Sequence, residues 1–245
     1  MLTFFVFLIA DLVFEGFTSV IKKFGSQAIM PLNYSGPHGE LMDSSMDRRF
    51  FHMLGASLLS RGQLCGLVRG SAYESIYGNV PGMPPEQMRF SDLIIVWGNN
   101  VTVSNLHLMR VINEARIKNS AKLIVIDPKN TKIAEQSDLH IQIRPGTDVI
   151  IALALCSELE KRGAHNITFI EKWVEGYEKF IKNARNYTFD MVSEICGISR
   201  ENFDIFVKLY SEAKNVSISV GNGLERSHSG GSGIRAVMSL QVITG

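Results

Sequence analysis

Three short apolar runs rich in β-branched residues constrain the fold of this chain more than any other feature. They occupy residues 92–97, 122–126 and 138–143, and each ends in a polar or glycine-containing turn. A one-sided helical stripe at residues 106–117 separates the first two runs. Uninterrupted apolar runs suit strands buried on both faces, and a helix between two of them makes a right-handed crossover. The pattern predicts an α/β fold with a doubly wound, mostly parallel, Rossmann-like sheet.

The turns that follow these runs form the predicted functional edge, because ligands of open α/β sheets bind at the carboxyl ends of the strands. Residues 97–104, 127–130 and 146–148 should therefore crowd one crevice. Asp127 and Asp148 offer carboxylates, which accept paired hydrogen bonds from a guanine edge, although each could equally cap a turn. Neither GxGxxG nor GxxxxGK[ST] occurs, so common phosphate-binding fingerprints do not explain this edge.

The composition fits an ordinary globular protein and argues against a nucleic-acid-binding protein and a disulfide-rich one. The chain has 245 residues, 45% of them apolar, which is enough for a core of one or two domains. A net charge of +1 gives no broad attraction for nucleic acid. The 3 cysteines are widely spaced and form neither a disulfide framework nor a CxxC pair. A reducing, cytoplasmic compartment is the simple inference.

The N-terminal stretch has two interpretations. Residues 1–13 are almost wholly apolar, but no Lys or Arg precedes them and no small-residue cleavage site follows, as a signal peptide requires. Because the apolar periodicity runs on to Gly25, a buried helix is predicted instead. Residues 27–33 are a predicted short strand. Arg48 and Arg49, near a helix start, fit an anion site and a solvated helix face equally well.

Cys65 is the residue with the most open interpretation. A lone cysteine is most often a small buried hydrophobe. Arg61 and Arg69 are near in sequence and would favour a thiolate, which could bind a soft metal or act as a nucleophile. Cys156, inside an apolar helical pattern, and Cys196, before a glycine, are interpreted as structural.

The C-terminal part is mainly helical in pattern. Helices are predicted at residues 148–162, 167–173, 175–184, 189–195 and 200–213, with Thr147 or Asp148 capping the first and Ser199 the last. A further strand is predicted at residues 215–220, before a Gly-Asn-Gly turn.

An ordered set of short motifs resembles a known family. The motifs are WGNN at 97–100, VIDPK at 125–129, IRPGTD at 143–148, GNG at 221–223 and SLQVITG at 239–245. YSGPHG at 34–39 and LCG at 64–66 precede them. This order, over nearly the whole chain, resembles the large subunit of molybdopterin oxidoreductases of the dimethyl-sulfoxide-reductase-like group. The resemblance implies a molybdenum or tungsten bis(molybdopterin guanine dinucleotide) cofactor.

The same resemblance assigns roles to individual residues. Cys65 matches the catalytic position at which the group supplies its protein ligand to the metal. The matching cofactor-binding positions are Trp97, Gly98, Asn99, Asn100 and Ser104 along the pterin dinucleotide, Asp127, Pro128 and Lys129 beside one guanosine, Gly146, Thr147 and Asp148 in a second turn, and Asn222 and Arg226 near the pterin.

The family's plan also predicts the domain organisation. Residues 1–64 and 215–245 would form part of one α/β domain, into which a dinucleotide-binding domain at residues 65–214 is inserted. Family members are longer and carry an N-terminal cysteine cluster for an iron–sulfur centre and a C-terminal domain that completes the second dinucleotide site. We therefore expect a fragment, inactive by itself, with an iron–sulfur cluster only in a longer parent chain.

The implied function is a two-electron redox reaction or oxygen-atom transfer on a small substrate. An electron-transfer subunit is the implied partner, and neither nucleic acid binding nor a membrane span is expected. A periplasmic or membrane-associated complex is the alternative to a cytoplasmic location. The alternative function is a non-catalytic truncated domain that binds a guanine nucleotide or another subunit.

Overall fold

The chain divides into two compact units. The computed structural model describes residues 2–32, 46–59, 66–80 and 82–245. Unit 1 is Met1–Gly62 and unit 2 is Gln63–Gly245.

Unit 1 contains helices α1 (Leu2–Phe24) and α2 (Met46–Leu54). The predicted N-terminal helix is confirmed, and it ends at Gly25, whose φ is 85°. The prediction that this helix is buried is wrong, since Phe7 is 66% and Phe14 is 70% exposed. Apolar residues in consecutive positions point to all sides of a helix, so packing on one face leaves most of them uncovered.

The predicted strand at residues 27–33 is also wrong within the part that the structure describes. Ser26–Ala28 form a single 3₁₀ turn. The Ala28 N–H donates to Gly25 O at 3.2 Å, and the Ser57 N–H donates to Ile29 O at 2.9 Å. The local turn and one bond from the distant Ser57 N–H satisfy backbone groups of this segment without strand pairing.

Unit 2 is built on a four-stranded parallel sheet. Its strands are β1 (Leu93–Trp97), β2 (Lys122–Ile126), β3 (Leu139–Ile141) and β4 (Val216–Val220), in the spatial order β3-β2-β1-β4. The predicted parallel sheet, with the carboxyl ends of its strands on one edge, is confirmed. The third strand lies at the edge, as its alternating pattern indicated, and is shorter than predicted.

Helices connect and cover these strands. They are α3 (Leu67–Tyr77), α4 (Val101–Ser104), α5 (Leu106–Asn119), α6 (Lys132–Glu135), α7 (Asp148–Lys161), α8 (Ile167–Trp173), α9 (Tyr177–Ala184), α10 (Phe189–Met191), α11 (Arg200–Glu212), α12 (Asn222–Glu225) and α13 (Gly230–Thr244). A 3₁₀ helix spans Pro85–Phe90, and the helix predicted at 189–195 is α10 followed by a π-helical turn, Val192–Cys196. Ser199 caps α11 by accepting the Asn202 N–H at 3.2 Å, which confirms that prediction.

The sheet is covered on both faces. Alternate side chains of β1 enter two cores: Ile95 and Trp97 pack with α7, α11 and α13, whereas Ile94 and Val96 pack with α5. All five residues of β1 are buried. A strand buried on both faces must be apolar throughout, which explains the uninterrupted runs in the sequence.

The C-terminal residues pack within unit 2. β4 pairs with β1 from Leu93↔Val216 to Trp97↔Val220, and α13 packs against α7 and α3. The predicted grouping of residues 215–245 with residues 1–64 stays a prediction about the family's domain plan.

Cys156 and Cys196 are both buried in this unit. Burial raises the pKa of each thiol, so both remain protonated at neutral pH. A buried, protonated thiol is a poor nucleophile and a poor metal ligand, in agreement with a structural role.

Candidate functional site

The carboxyl edge of the sheet gathers the loops that the sequence singled out. Residues 98–100 follow β1, residues 127–129 follow β2, and residues 221–223 follow β4. The strand order reverses between β1 and β4, because β2 and β3 extend from the other side of β1. Ligands of doubly wound sheets bind at such a reversal point, so the loops after β1 and β4 form the centre of the candidate site.

The loops after β1 and β4 approach each other closely. The Gly221 N–H donates to Trp97 O at 2.9 Å, and the Gly223 N–H donates to Gly98 O at 3.2 Å. Gly98 has a φ of 59°, and a Cβ at this position would lie 2.6 Å from Leu224 Cδ1. Glycine is therefore required here both for its backbone conformation and for space.

Amide side chains surround this contact. Asn99 Nδ2 donates to Ser219 Oγ at 2.9 Å, and Thr102 Oγ1 donates to Asn100 Oδ1 at 2.7 Å. Asn99 and Asn100 are half-buried, whereas Ser104, at the end of α4, is exposed. The predicted segment 97–104 thus runs from half-buried residues at the strand end to an exposed residue at the end of α4.

Trp97 and Asp148 are joined beneath these loops. The indole Nε1–H of Trp97 donates to Asp148 Oδ1 at 2.8 Å, and both side chains are buried. Burial raises the pKa of the Asp148 carboxyl, although the bond from Trp97 acts in the opposite direction. Asp148 is the first residue of α7, and Thr147 precedes it without a side-chain cap. The structure therefore gives Asp148 a partner inside the protein.

Replacing Asp148 by Ala should lower the stability of the fold. The buried Trp97 N–H would lose its acceptor, and an unsatisfied buried donor costs about 1–3 kcal/mol. Asp148→Asn retains an acceptor oxygen and should cost less. Urea denaturation of the three proteins measures the difference, and equal midpoints for Ala and wild type would show that the bond contributes nothing.

The turn after β2 holds Asp127 at the surface of the edge. Asp127 Oδ1 accepts the Lys129 N–H at 2.8 Å, and the Asp127 carbonyl lies 3.0 Å from His140 Nε2. Gln142 Nε2 donates to Pro128 O at 3.0 Å, which ties the turn to the end of β3. Asp127 is half-buried, and Pro128 and Lys129 are exposed. A carboxylate in this position has acceptor capacity left for a ligand.

The loop before α7 is tied to the loop before α13. Gly146 has a φ of 80°, and its carbonyl accepts Ser229 Oγ at 3.1 Å. Thr147 Oγ1 donates to Arg144 O at 2.7 Å. The predicted turn at 146–148 therefore lies beside residues 227–229, next to the later loop that carries Asn222 and Arg226.

Arg69 holds the loop after β4, a role that sequence reasoning missed. Its Nη1 donates to Val220 O at 3.3 Å and to Asn222 Oδ1 at 3.4 Å. It also lies 3.7 Å from the buried carboxylate of Glu225. Sequence proximity suggested that Arg69 would favour a thiolate, yet its contacts reach a segment about 150 residues away, for which no local pattern exists.

Cys65, the predicted metal ligand, lies outside the described residues, as do the motif at residues 34–39 and Arg61. Within the described ranges, no group of three or more His, Cys, Asp or Glu side chains could hold a metal ion. Across those same ranges, no helix is long and apolar enough to cross a membrane.

Comparison with known proteins identifies the family. The family model of molybdopterin oxidoreductases matches residues 10–245. The chain belongs to the molybdopterin oxidoreductase family.

The relatives are longer proteins. "Probable oxidoreductase YoaE" of Bacillus subtilis is 32% identical over 96% of this chain and 34% of its own length. The "F420-dependent formate dehydrogenase subunit alpha" of Methanocaldococcus jannaschii is 33% identical over 65% of this chain and 24% of its own length. The chain thus spans about a third, or less, of the curated relatives it matches.

A solved structure shares the fold. Acetylene hydratase from Pelobacter acetylenicus aligns with a TM-score of 0.74 at 23% identity. The alignment covers 96% of this chain and 32% of acetylene hydratase. At this identity, the likeness concerns the fold alone.

The residues at the edge fit a pterin dinucleotide by their chemistry. The N–H groups of Gly221 and Gly223 already donate to Trp97 O and Gly98 O, so other groups of this edge would have to contact a diphosphate. The exposed cations Lys129 and Arg226 can balance phosphate charge, and Asp127 can accept hydrogen bonds from a base.

Proposed function

We propose that this chain forms the part of a molybdenum or tungsten oxidoreductase that binds a guanine dinucleotide of the pterin cofactor and supplies Cys65 to the metal. The observation that carries the proposal is the meeting of the loops after β1, β2 and β4 at one sheet edge, in a chain that matches the family over residues 10–245. The reaction of the whole enzyme is a two-electron redox step or oxygen-atom transfer on a small substrate.

The bound group would supply the redox chemistry, and the residues of the chain position it. The glycine loops after β1 and β4 pack against each other and would form one wall of the dinucleotide site. The buried bond between Trp97 and Asp148 holds the end of β1 against the start of α7. Asp127 would accept hydrogen bonds from guanine, and a thiolate at Cys65 would be a soft ligand for the metal.

The subunit partner is also part of the proposal. One relative is named as an alpha subunit of a formate dehydrogenase, which supports an electron-transfer partner for the whole enzyme.

The cofactor content of the purified protein tests the proposal that this chain belongs to a molybdenum or tungsten oxidoreductase. Protein purified from a cofactor-competent, molybdate-supplied host should carry molybdenum and release two GMP per metal on acid hydrolysis. Protein with neither would contradict the proposal and favour a non-catalytic domain.

Guanine binding by Asp127 can be tested on the 245-residue chain with GDP as the probe. Asp127→Asn should weaken GDP binding roughly ten- to a hundredfold, because a hydrogen bond to a charged acceptor contributes about 1.5–3 kcal/mol. Isothermal titration calorimetry measures the change.

Asp92→Asn is the matched control for this titration. Asp92 also accepts backbone N–H groups, from Lys214 and Asn215, but it precedes β1 and so lies at the opposite edge of the sheet. Its substitution should leave GDP affinity unchanged. Equal weakening by both variants would remove Asp127 from the site.

A further inference from the structure

Glu225 carries a charge that the protein has buried beside the candidate site. Its side chain is 1% exposed, and it is the last residue of α12, directly after the glycine loop that follows β4. Burying a carboxylate is costly unless it is paired. A buried charge at this place therefore requires a specific partner.

The partner of Glu225 is Arg69, in the first turn of α3. The Arg69 backbone N–H donates to Glu225 Oε2 at 2.9 Å, and the guanidinium Nη1 lies 3.7 Å from Oε1. Within the described residues, Oε1 accepts no hydrogen bond, so its pairing is with the guanidinium charge. Glu225 thereby holds both the backbone and the side chain of Arg69.

Arg69 in turn contacts the loop that carries the proposed cofactor ligand. The same Nη1 reaches Val220 O, at the end of β4, and Asn222 Oδ1, at 3.3 and 3.4 Å. The two N–H bonds of Nη1 are fixed in the rigid guanidinium plane and can serve two acceptors at a defined spacing, whereas an ammonium group rotates on a flexible stem. Arg69 therefore sets the position of Asn222 relative to the strand end.

The position of Glu225 is itself held by close packing. A Cβ at Gly230, the first residue of α13, would lie 2.6 Å from Glu225 O. The contact leaves little room for the backbone of Glu225 to shift. Desolvation of the buried Glu225 carboxylate offsets much of the attraction to the partly exposed Arg69, so the pair is better explained by positioning than by stability.

We propose that Arg69 and Glu225 form a positioning pair that holds Asn222 and the end of β4 in the geometry needed by the dinucleotide. Arg69 also lies four positions after Cys65, so the same pair anchors the chain that follows the proposed metal ligand. This inference rests on the proposed function, because the loop it positions is the proposed cofactor loop.

Amide hydrogen exchange tests the pair without any ligand. Glu225→Gln keeps an acceptor for the Arg69 N–H but removes the charge. Exchange of the Gly223 amide, which donates to Gly98 O, should become roughly tenfold faster as the loop opens more often. Arg185→Met is the matched control, since it breaks the 2.6 Å pair between Arg185, directly after α9, and Glu160 on α7. Exchange of Gly223 should not change in that variant.

GDP affinity of the 245-residue chain gives the second measurement. Arg69→Met and Glu225→Gln should each weaken binding roughly tenfold, the usual effect of losing a residue that orients a ligand-binding group. The double variant should bind about as weakly as either single variant, because the two residues act as one unit. Arg69→Lys serves as a second variant if Glu225→Gln fails to fold, and it should show the same faster exchange.

The possible results distinguish a failure of the positioning pair from a failure of the proposed function. Faster Gly223 exchange and non-additive loss of GDP affinity support the positioning pair. Unchanged exchange, with wild-type affinity in the variants, overturns the pair and leaves the proposed function standing. Losses of affinity that multiply in the double variant also overturn it. A wild-type chain that binds no GDP overturns the proposed function and the positioning role together.

Discussion

Gly221→Ala is expected to destabilise unit 2 by about 3 kcal/mol, at the upper end of what overpacking costs. A Cβ at this position would collide with the carbonyl oxygen of Gly98 and would lie 2.6 Å from Asn99 Cβ. Both obstacles belong to the main chain or to its first side-chain atom, so neither can rotate away. The loops after β1 and β4 would have to separate, and GDP affinity should fall together with stability.

Gly70→Ala is the control for this experiment. Gly70 lies inside α3, and no atom lies within 4 Å of a Cβ built there. Alanine is favoured over glycine in a helix by about 1 kcal/mol, so this variant should be as stable as the wild type or more stable. Thermal and urea unfolding measure both variants. A Gly221→Ala protein as stable as Gly70→Ala would contradict the close approach of the two loops.

Cys65→Ala is expected to abolish turnover of the metal-loaded enzyme. If Cys65 is the protein ligand to the metal, its loss removes the soft donor that tunes the centre, while the pterin sulfurs continue to hold the metal. Metal content and unfolding midpoint should remain near those of the wild type. Turnover with a dye electron donor and a panel of oxidised substrates is the measurement.

Cys156→Ala should lower the stability of the protein and leave its turnover unchanged, the opposite of the effects expected for Cys65→Ala. Cys156 is fully buried in α7, out of reach of a metal at the sheet edge, and burial also raises the pKa of its thiol, which disfavours the thiolate. The truncation should cost about 1–2 kcal/mol of stability, while folded protein keeps its turnover. Turnover that survives in Cys65→Ala would return Cys65 to a structural role.

Much of the sheet could be predicted because its determinants are local. A strand buried on both faces needs an uninterrupted apolar run, and the runs at β1 and β2 are visible without any partner. The cap of α11 was equally readable, since Ser199 contacts an N–H only three residues away. Residues 98–100 and 127–129 were placed on one edge because the carboxyl ends of parallel strands always share an edge.

The sequence-based predictions were wrong for the burial of α1 and for the strand at residues 27–33, because both depend on contacts with other parts of the protein. The apolar residues of α1 predicted a helix, and the helix is there, but they could not predict what covers it. Residues 27–33 were predicted as a strand, yet Ser26–Ala28 form a 3₁₀ turn and the Ile29 carbonyl accepts the N–H of the distant Ser57. Hydrophobicity measures the tendency to be buried, and only packing decides whether burial occurs.

The sequence by itself determined the strands of the parallel sheet, most of the helices of unit 2, and which motif-bearing loops follow the carboxyl edge of that sheet. Only the tertiary structure decided which residues pair with the charged groups near that edge. Asp148 is bonded to Trp97, 51 positions away, and Glu225 is paired with Arg69, 156 positions away. The physical reason is that a hydrogen bond or ion pair depends on distance in space, and no periodic pattern in the chain encodes such a distance between remote residues.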